Sequence, residues 1–302
     1  MADPIDAADD MAVLRRALKP LSVPSNRAGL THLAGHLALL AATSAGVVLA
    51  PTWWLMLPAM LAQGVVLIFL FAPLHESVHN TAFASRWLNA AMAAIAGWLL
   101  LLPSRWFRNY HLAHHRHTQD PARDPELQVR PIDSRYRYWR HISGLPYWRA
   151  QIRLILRQAG GRVDDPFVAA QQRRAVTRQA RLYLTAYGAV AILSVATGSR
   201  LALTLWIVPV LLGQPFLRAY LMAEHGGCPF VADMFLNTRT TFTHRLARFL
   251  AWNMPYHAEH HAFPAVPFFR LPAAHRRLTR HLGVTADGYL SVQRQLYARF
   301  RS

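Results

Sequence analysis

The chain has 302 residues, of which 53% are hydrophobic, and its formal net charge at pH 7 is +18. Lys19 is the only lysine, so almost all of the positive charge is arginine. A chain this basic raises the question of nucleic-acid binding, but its arginines flank long apolar segments, which favours contact with a membrane surface. Cys228 is the only cysteine, which excludes an intramolecular disulfide and an iron–sulfur or zinc site built on several cysteines. We therefore expect an integral membrane protein that binds no nucleic acid.

Residues 1–28 are predicted to be a cytosolic leader. Its first ten residues are acidic and polar, so we do not expect a secretory signal peptide. Residues 29–302 are predicted to form a single membrane domain. A helix that spans a bilayer needs about 20 predominantly apolar residues, and four apolar segments come near this length. They are residues 30–50, 55–74, 182–196 and 201–221.

The predicted spans come in pairs, and each pair is joined by a short break. Pro51 and Thr52 separate the first two spans, and residues 197–200 separate the last two, so each pair predicts a helical hairpin. Residues 88–102 are apolar but too short to cross comfortably, and we predict an interfacial helix there. Both termini and the arginine-rich loop 103–181 then lie on one side of the membrane, which the positive-inside rule assigns to the cytosol. The predicted fold is all-α: four transmembrane helices in two hairpins, with a cytosolic helical cap.

Three local groups of histidines, called the first, second and third box in chain order, provide the strongest signal in the sequence. Residues three and four apart lie on one face of a helix, so the spacings HxxxH and HxxHH present neighbouring imidazoles. All three groups fall at a predicted span end or in a predicted cytosolic segment, and we predict that they form one metal site in the cap. The eight histidines are His75 and His79, then His111, His114 and His115, then His257, His260 and His261.

A ninth histidine, His225, ends the fourth predicted span at the same membrane level, and we predict that it is a further ligand. Nine nitrogen ligands exceed the four that one zinc ion takes, and the boxes lack the carboxylate ligands of soluble di-iron proteins. Imidazole suits redox-active metals, so two iron ions are our first choice, with zinc or copper as the alternative. A zinc transporter is a further alternative, although transporters place their ligands near the bilayer midplane and not at span ends.

Five carboxylates lie in or beside the histidine groups. Ligating histidines usually donate their second N–H to such a group, and we predict this role here, with helix capping or ion pairing to arginines as the alternative. The five are Glu76, Asp120, Asp124, Glu224 and Glu259. His32 and His36 also have the HxxxH spacing, but no acidic residue follows them, and we predict interfacial packing. The remaining histidines are predicted to lie outside the site, and the last four of them to be solvated: His117, His141, His244, His275 and His281.

The three boxes and four spans resemble the membrane fatty acid desaturase and hydroxylase superfamily over residues 30–278. Residues 111–126, 237–241 and 252–264 look like its bacterial members. The resemblance implies a non-haem di-iron centre on the cytosolic face, where dioxygen and two electrons oxidise a C–H bond of a lipid chain. Desaturation of a fatty acyl or lipid substrate is the first expectation. Hydroxylation of a lipid, oxidation of a carotenoid ring, and decarboxylation of a fatty acid to a terminal alkene are alternatives.

Two features depart from that family. The animal acyl-CoA desaturases have an asparagine four residues before the lone histidine that helps to bind one iron through water, and Leu221 stands there in this chain. There is also no fused segment like cytochrome b5, so the resemblance implies a separate electron donor, a ferredoxin or rubredoxin with its reductase. The arginine-rich composition is typical of a GC-rich bacterial genome, and we expect the bacterial inner membrane. Arg105 and Arg108 are candidates to hold an anionic head group.

Overall fold

The computed structural model describes residues 4–300, and they are mostly helical, as the sequence predicts. The helices are α1 (Pro4–Leu18), α2 (Asn26–Val48), α3 (Trp53–Ile68), α4 (Phe71–His79), α5 (Arg86–Leu99), α6 (Ser104–His117), α7 (Arg135–Ile142), α8 (Leu145–Ala159), α9 (Ala170–Thr197), α10 (Val208–His225), α11 (Met234–Asn237), α12 (Arg245–Leu250), α13 (His257–Ala262), α14 (Leu271–Leu278) and α15 (Tyr289–Ala298). Two three-residue strands, β1 (Thr240–Phe242) and β2 (Thr285–Asp287), pair in parallel. The sequence pattern did not predict these strands.

Four helical segments of the described chain are long and apolar enough to cross a membrane, and each contains or overlaps one predicted span. They are Asn26–Val48, Trp53–His79, Ala170–Thr197 and Leu203–His225. The third begins at Ala170 and not at residue 182, because the polar segment before Leu182 continues the same helix. Its apolar side chains Leu193 and Val195 are exposed on the protein surface, as expected of residues that face lipid.

The second and fourth spans pack directly against each other through two glycines. A Cβ atom on Gly64 of α3 would lie 2.0 Å from the carbonyl oxygen of Pro209. A Cβ atom on Gly213 of α10 would lie 2.2 Å from the carbonyl oxygen of Gly64. Small residues allow membrane helices to approach backbone to backbone. This crossing brings the ends of α4 and α10, and the histidines on them, to the same region.

The third span packs mainly against α8, and two of its tyrosines donate hydrogen bonds to α5. The Tyr187 hydroxyl on α9 donates a hydrogen bond of 2.7 Å to the carbonyl oxygen of Trp98 on α5. The Trp206 indole, which precedes α10, donates one of 2.8 Å to the carbonyl oxygen of Leu99. The third and fourth spans therefore both hydrogen-bond to the end of α5, where the rings of Tyr187 and Trp206 lie 6.0 Å apart.

The apolar segment predicted at residues 88–102 forms α5 and then a sharp bend of 102° into α6. At the bend, the Leu102 N–H donates a hydrogen bond of 2.7 Å to the carbonyl oxygen of Gly97. A Cβ atom on Gly97 would lie 2.4 Å from the Leu102 carbonyl oxygen, so this turn requires glycine. The bend directs α6, with the second histidine box (residues 111–115) on its last turns, towards the ends of the spans.

Candidate metal centre

The nine predicted histidines lie on four helices, and three of these helices place them in their last turns. His79 is the last residue of α4, which ends because Asn80 adopts the left-handed conformation, with φ of 63°. His225 is the last residue of α10. The second histidine box, residues 111–115, occupies the end of α6, and the third box, residues 257–261, occupies the six-residue helix α13. These helix ends meet, so segments that are far apart in the sequence supply one cluster of imidazoles.

Five of the histidines form the first group, and their nitrogens lie within 4.8 Å of one another. They are His75, His79, His111, His115 and His260. The His111 Nε2 atom lies 2.8 Å from Nε2 of His79 and 3.0 Å from Nε2 of His115. His75 and His260 are buried, and neither ring nitrogen of either residue has a hydrogen-bond partner among the described residues. A set of buried nitrogens that face one another in this way is a candidate metal-binding group.

The second group is formed by His114, His225 and His261, whose nitrogens also lie within 4.8 Å of one another. The His257 ring lies beside it, with its centroid 4.6 Å from that of His261 and 5.1 Å from that of His225. The two groups are adjacent, because the rings of His115 and His261 stack at 4.0 Å. All nine predicted histidines are thus brought together, five in one group and four in or beside the other.

Hydrogen bonds assign the proton of three rings in the second group to Nδ1. His114 Nδ1 lies 2.9 Å from Oδ1 of Asp124, and His225 Nδ1 lies 3.2 Å from the Asn237 carbonyl oxygen. Both partners only accept, so the nitrogens donate. His261 Nδ1 lies 3.2 Å from the Thr118 hydroxyl, which itself donates to a carbonyl oxygen, so His261 donates as well. The Nε2 atoms are left with lone pairs, which is the form that binds a metal.

The donor atoms fit metal ions in spacing as well as in chemistry. Nε2 atoms of His114 and His225 are 3.2 Å apart, close to the separations in the first group. Two nitrogens bound at right angles to one ion, with bonds of about 2.1 Å, lie about 3.0 Å apart. Lone pairs at this separation repel each other unless a positive charge lies between them. The spacing of the donor atoms within each group therefore fits a metal ion.

The protonation of the third box is consistent with metal binding. Burial, followed by the proximity of other imidazoles, lowers the pKa values of His257, His260 and His261 well below their usual value of 6.5. These rings are therefore neutral at pH 7. Neutral imidazole is the ligand form, so no proton has to be displaced before a metal binds.

The structure places three of the five predicted carboxylates beside clustered histidines. Asp124 accepts from His114, Glu224 Oε1 lies 3.3 Å from Nδ1 of His257, and Glu76 Oε1 lies 4.0 Å from Nδ1 of His260. Glu76 is fully buried, and its other oxygen, Oε2, accepts from the Thr81 hydroxyl and from the backbone N–H of Phe268. Asp124 therefore orients the His114 ring, whereas the Nδ1 atoms of His257 and His260 make no hydrogen bond with the described residues.

The other two predicted carboxylates have different contacts. Asp120 pairs with Arg123 at the surface and caps its own turn. The Glu259 carboxylate is fully buried and accepts hydrogen bonds from His275 and from the Thr240 hydroxyl. It therefore links α13 to α14 and to β1. Sequence reasoning missed Thr118 and Asn237, which hold ring nitrogens of His261 and His225. The position of Thr118, four residues after His114, is a local signal that was available.

The remaining histidines lie outside both groups. His32 Nε2 lies 2.8 Å from the Phe249 carbonyl oxygen, and His36 Nε2 lies 2.9 Å from that of Val66, in agreement with a packing role. His275 was expected to be solvated, but it is half-buried because it pairs with Glu259. His141 is also half-buried, His244 caps α12, and His281 packs near Phe235.

Sequence comparisons with known proteins find one family model and three relatives that cover most of this chain. The family model described as fatty acid desaturase matches residues 51–291, a region that contains all nine clustered histidines. The sphingolipid delta(4)-desaturase of Drosophila melanogaster is 28% identical over 276 residues, which are 88% of this chain and 79% of that protein. The dihydrorhizobitoxine desaturase of Bradyrhizobium elkanii is 26% identical over 84% of this chain and 76% of its own length. The sphingolipid delta(4)-desaturase/C4-monooxygenase of Rattus norvegicus is 27% identical over 72% of this chain and 64% of its own length.

Proposed function

The chain belongs to the fatty acid desaturase family, and we propose that it is a membrane enzyme that desaturates the acyl chain of a fatty acid or lipid, using dioxygen and two iron ions. The observation that carries this proposal is the convergence of nine imidazoles in two adjacent groups at the ends of two apolar spans. Saturated lipid chains lack reactive groups, so their oxidation requires a strong oxidant beside the bilayer. An imidazole-rich site for redox-active metals at this position meets that requirement.

In this proposal each iron is held by one histidine group. The five-histidine group holds the first iron, and His114, His225, His257 and His261 hold the second. Bound iron supplies the activation of dioxygen. The protein keeps the Nε2 atoms deprotonated through the Asp124 carboxylate, the Thr118 hydroxyl and the Asn237 carbonyl. Burial of both groups limits the access of water, which would otherwise compete for the oxidant.

The overall reaction consumes two electrons and two protons for each dioxygen. One hydrogen leaves each of two neighbouring methylene carbons, a double bond forms between them, and both oxygen atoms leave as water. We propose that a separate protein, a ferredoxin or rubredoxin with its reductase, delivers the electrons. The substrate enters from the bilayer beside the second and fourth spans, whose last residues reach the histidines.

We also propose a topology for residues 29–302, which we treat as one domain after a leader at 1–28. Four spans form two hairpins, and the remaining helices form a cap that carries the boxes. The arginine-rich segments support a cytosolic position for this cap and for both termini. The bacterial inner membrane is the location that fits this orientation and composition.

A second outcome at the same site is favoured by one of the relatives. The protein from Rattus norvegicus is described as both a desaturase and a C4-monooxygenase. Hydroxylation and desaturation begin with removal of the same kind of hydrogen, and they differ in whether an oxygen atom then joins the carbon. A hydroxylated lipid is therefore the alternative product of this chain.

Lipid mass spectrometry of cells that express the protein tests the proposal. Wild type is expected to convert a fraction of a saturated lipid to a product two hydrogens lighter, only in the presence of oxygen. A gain of one oxygen atom would select the hydroxylase alternative. His260→Ala should abolish the product, whereas His117→Ala, which removes a histidine outside both groups, should retain it. Unchanged lipids in aerobic cells that contain folded, iron-loaded protein would contradict the proposed function.

A further inference from the structure

The end of α10, which carries His225, is held by Arg239, the residue that precedes β1. The backbone N–H of Arg239 donates a hydrogen bond of 2.8 Å to the carbonyl oxygen of Glu224. Its guanidinium donates to the carbonyl oxygen of Ala223 and, at 2.9 Å, to that of Gly226. One arginine therefore binds backbone carbonyls on both sides of a clustered histidine.

With Arg239 in place, no carbonyl in the last turn of α10 lacks a donor. A helix leaves its last four carbonyl groups without partners inside the helix. Here Met222 accepts from the N–H of Gly226 at 2.9 Å, and His225 accepts from the side-chain amide of Gln119 at 2.9 Å. Arg239 supplies the donors for the other two. The last turn cannot unwind without breaking these bonds, so the backbone that carries the His225 ring is fixed.

The charge of Arg239 is compensated by this helix end and not by an acidic side chain. Arg239 is 5% exposed, and no carboxylate lies within 4 Å of its guanidinium in the part of the chain that the structure describes. A buried charge is unfavourable unless other groups compensate it. The peptide dipoles of a helix amount to about half a negative charge at its C-terminus. The end of α10 therefore attracts the guanidinium and holds it against the carbonyls.

The neighbours of Arg239 in the sequence bind two other parts of the second histidine group. The Asn237 carbonyl oxygen accepts from Nδ1 of His225 at 3.2 Å, and the Thr240 hydroxyl donates to the Glu259 carboxylate in α13. Helix α13 carries one ring of the second group and another beside it. Arg239 lies between these two contacts, so its grip on α10 sets the position of α10 relative to α13.

We propose that Arg239 is a positioning residue for the metal ion of the second histidine group, and that it keeps Nε2 of His225 directed at that ion. The inference rests on the proposed function, in which His225 is a ligand, and adds a residue that this function does not use. A ligand on an unsupported helix end would lose conformational freedom when the metal binds, which weakens binding. Arg239 orders this helix end before the metal arrives.

Replacement of Arg239 should therefore weaken one of the two metal sites selectively. Arg239→Met keeps a long unbranched side chain but donates nothing to the carbonyls. We expect its affinity for the second ion to fall about tenfold or more, while the five-histidine group retains its ion. Arg239→Lys keeps the charge but has one ammonium nitrogen in place of the guanidinium fork. Its affinity for the second ion should lie between those of wild type and Arg239→Met.

The experiment titrates metal-free, full-length protein in detergent with Co(II). The visible absorption of bound Co(II) reports the number and geometry of its ligands, and competition with a chelator gives the two dissociation constants. Tm of the metal-free protein is measured in parallel. Arg299→Met is the matched control, because Arg299 is exposed and donates to the carbonyl oxygen of Gly227, just beyond the same helix end. The control should bind both ions as wild type does.

The outcomes separate positioning from a purely structural role. A residue that only stabilised the fold would lower Tm and leave both affinities unchanged at temperatures where the protein is folded. Weaker binding of one ion to folded Arg239→Met, with an altered absorption band for that ion, would support the inference. Unchanged affinities, or an equal loss for both ions, would overturn it and leave the proposed function standing.

Two further results complete the test. Wild type that binds no Co(II) at either group would count against the proposed function as well as the inference. If Arg239→Met does not fold, Arg239→Lys takes its place, and wild-type affinity for both ions in that variant would overturn the inference.

Discussion

Replacement of Asp124 by asparagine should weaken metal binding at the second histidine group. The Asp124 side chain is 1% exposed, and both of its oxygens accept hydrogen bonds. Oδ1 accepts from His114 Nδ1 and from the backbone N–H of Glu126, each at 2.9 Å. Oδ2 accepts from the backbone N–H of Gln119 at 2.9 Å. Burial alone would raise the pKa of Asp124, but the hydrogen bonds from His114 and from these N–H groups outweigh it and lower the pKa, so the group is charged at neutral pH.

Asparagine has the same shape but only one oxygen, so its NH₂ group would face either the Gln119 N–H or the Glu126 N–H, donor against donor. The charge that strengthens the His114 hydrogen bond is also lost, which costs about 1.5–3 kcal/mol for a bond to a charged group. Partners of this kind typically contribute 10- to 100-fold to metal affinity, which is about the same free energy. We therefore expect Asp124→Asn to bind its second iron 10- to 100-fold more weakly than wild type.

Iron per chain, measured by inductively coupled plasma mass spectrometry after dialysis against a graded chelator, checks this expectation. The iron content of Asp124→Asn should fall at a lower chelator concentration than that of wild type, in a step of about one iron. Asp120→Asn is the matched control, since Asp120 lies four residues earlier and pairs only with Arg123 and its own turn. A folded Asp124→Asn protein that retains both irons as firmly as the control would refute the reasoning.

Two further predictions concern stability, measured as Tm of the protein in detergent. Gly64→Ala should destabilise the fold by at least about 2 kcal/mol, because the new Cβ atom would lie 2.0 Å from the Pro209 carbonyl oxygen. Gly46→Ala is the control: a Cβ atom there would have no neighbouring atom within 4 Å, so Tm should not fall. Burial, and then the charge of Arg218, lowers the pKa of His141 to about 4. Its contribution to stability is therefore complete above pH 6.5 and is lost as pH falls towards 4, by up to about 3 kcal/mol. His141→Gln should lose less Tm than wild type between pH 7.5 and pH 5, and equal losses would contradict the role given to His141.

Local patterns in the sequence were sufficient to predict the spans and the histidines that cluster. Helical periodicity places His111 and His115 on one face of α6 whatever the rest of the chain does. The hydrophobic segments likewise predicted the four apolar helices, because an apolar segment long enough to cross a bilayer is typical of a membrane helix. The start of the third span was missed, since a cytosolic extension of the helix is polar and does not differ from a loop in composition.

Contacts between distant segments could not be predicted in the same way. Asp120 and Asp124 have the same sequence context, each followed by proline, yet only Asp124 turns inward. The choice depends on the turn after α6, where Gln119 adopts a φ of 61° and brings its N–H to the Asp124 carboxylate. Glu259 lies within the third box, but its partners are His275 and Thr240, which only the folded chain brings close.

Metal analysis of the purified protein tests the two-group site most directly. Protein from iron-supplied cells is expected to contain about two irons per chain. His79→Ala, in the first group, and His225→Ala, in the second, should each reduce this to about one. Folded protein that contains no transition metal, or that loses no iron when either histidine is replaced, would contradict the binding of one iron by each group.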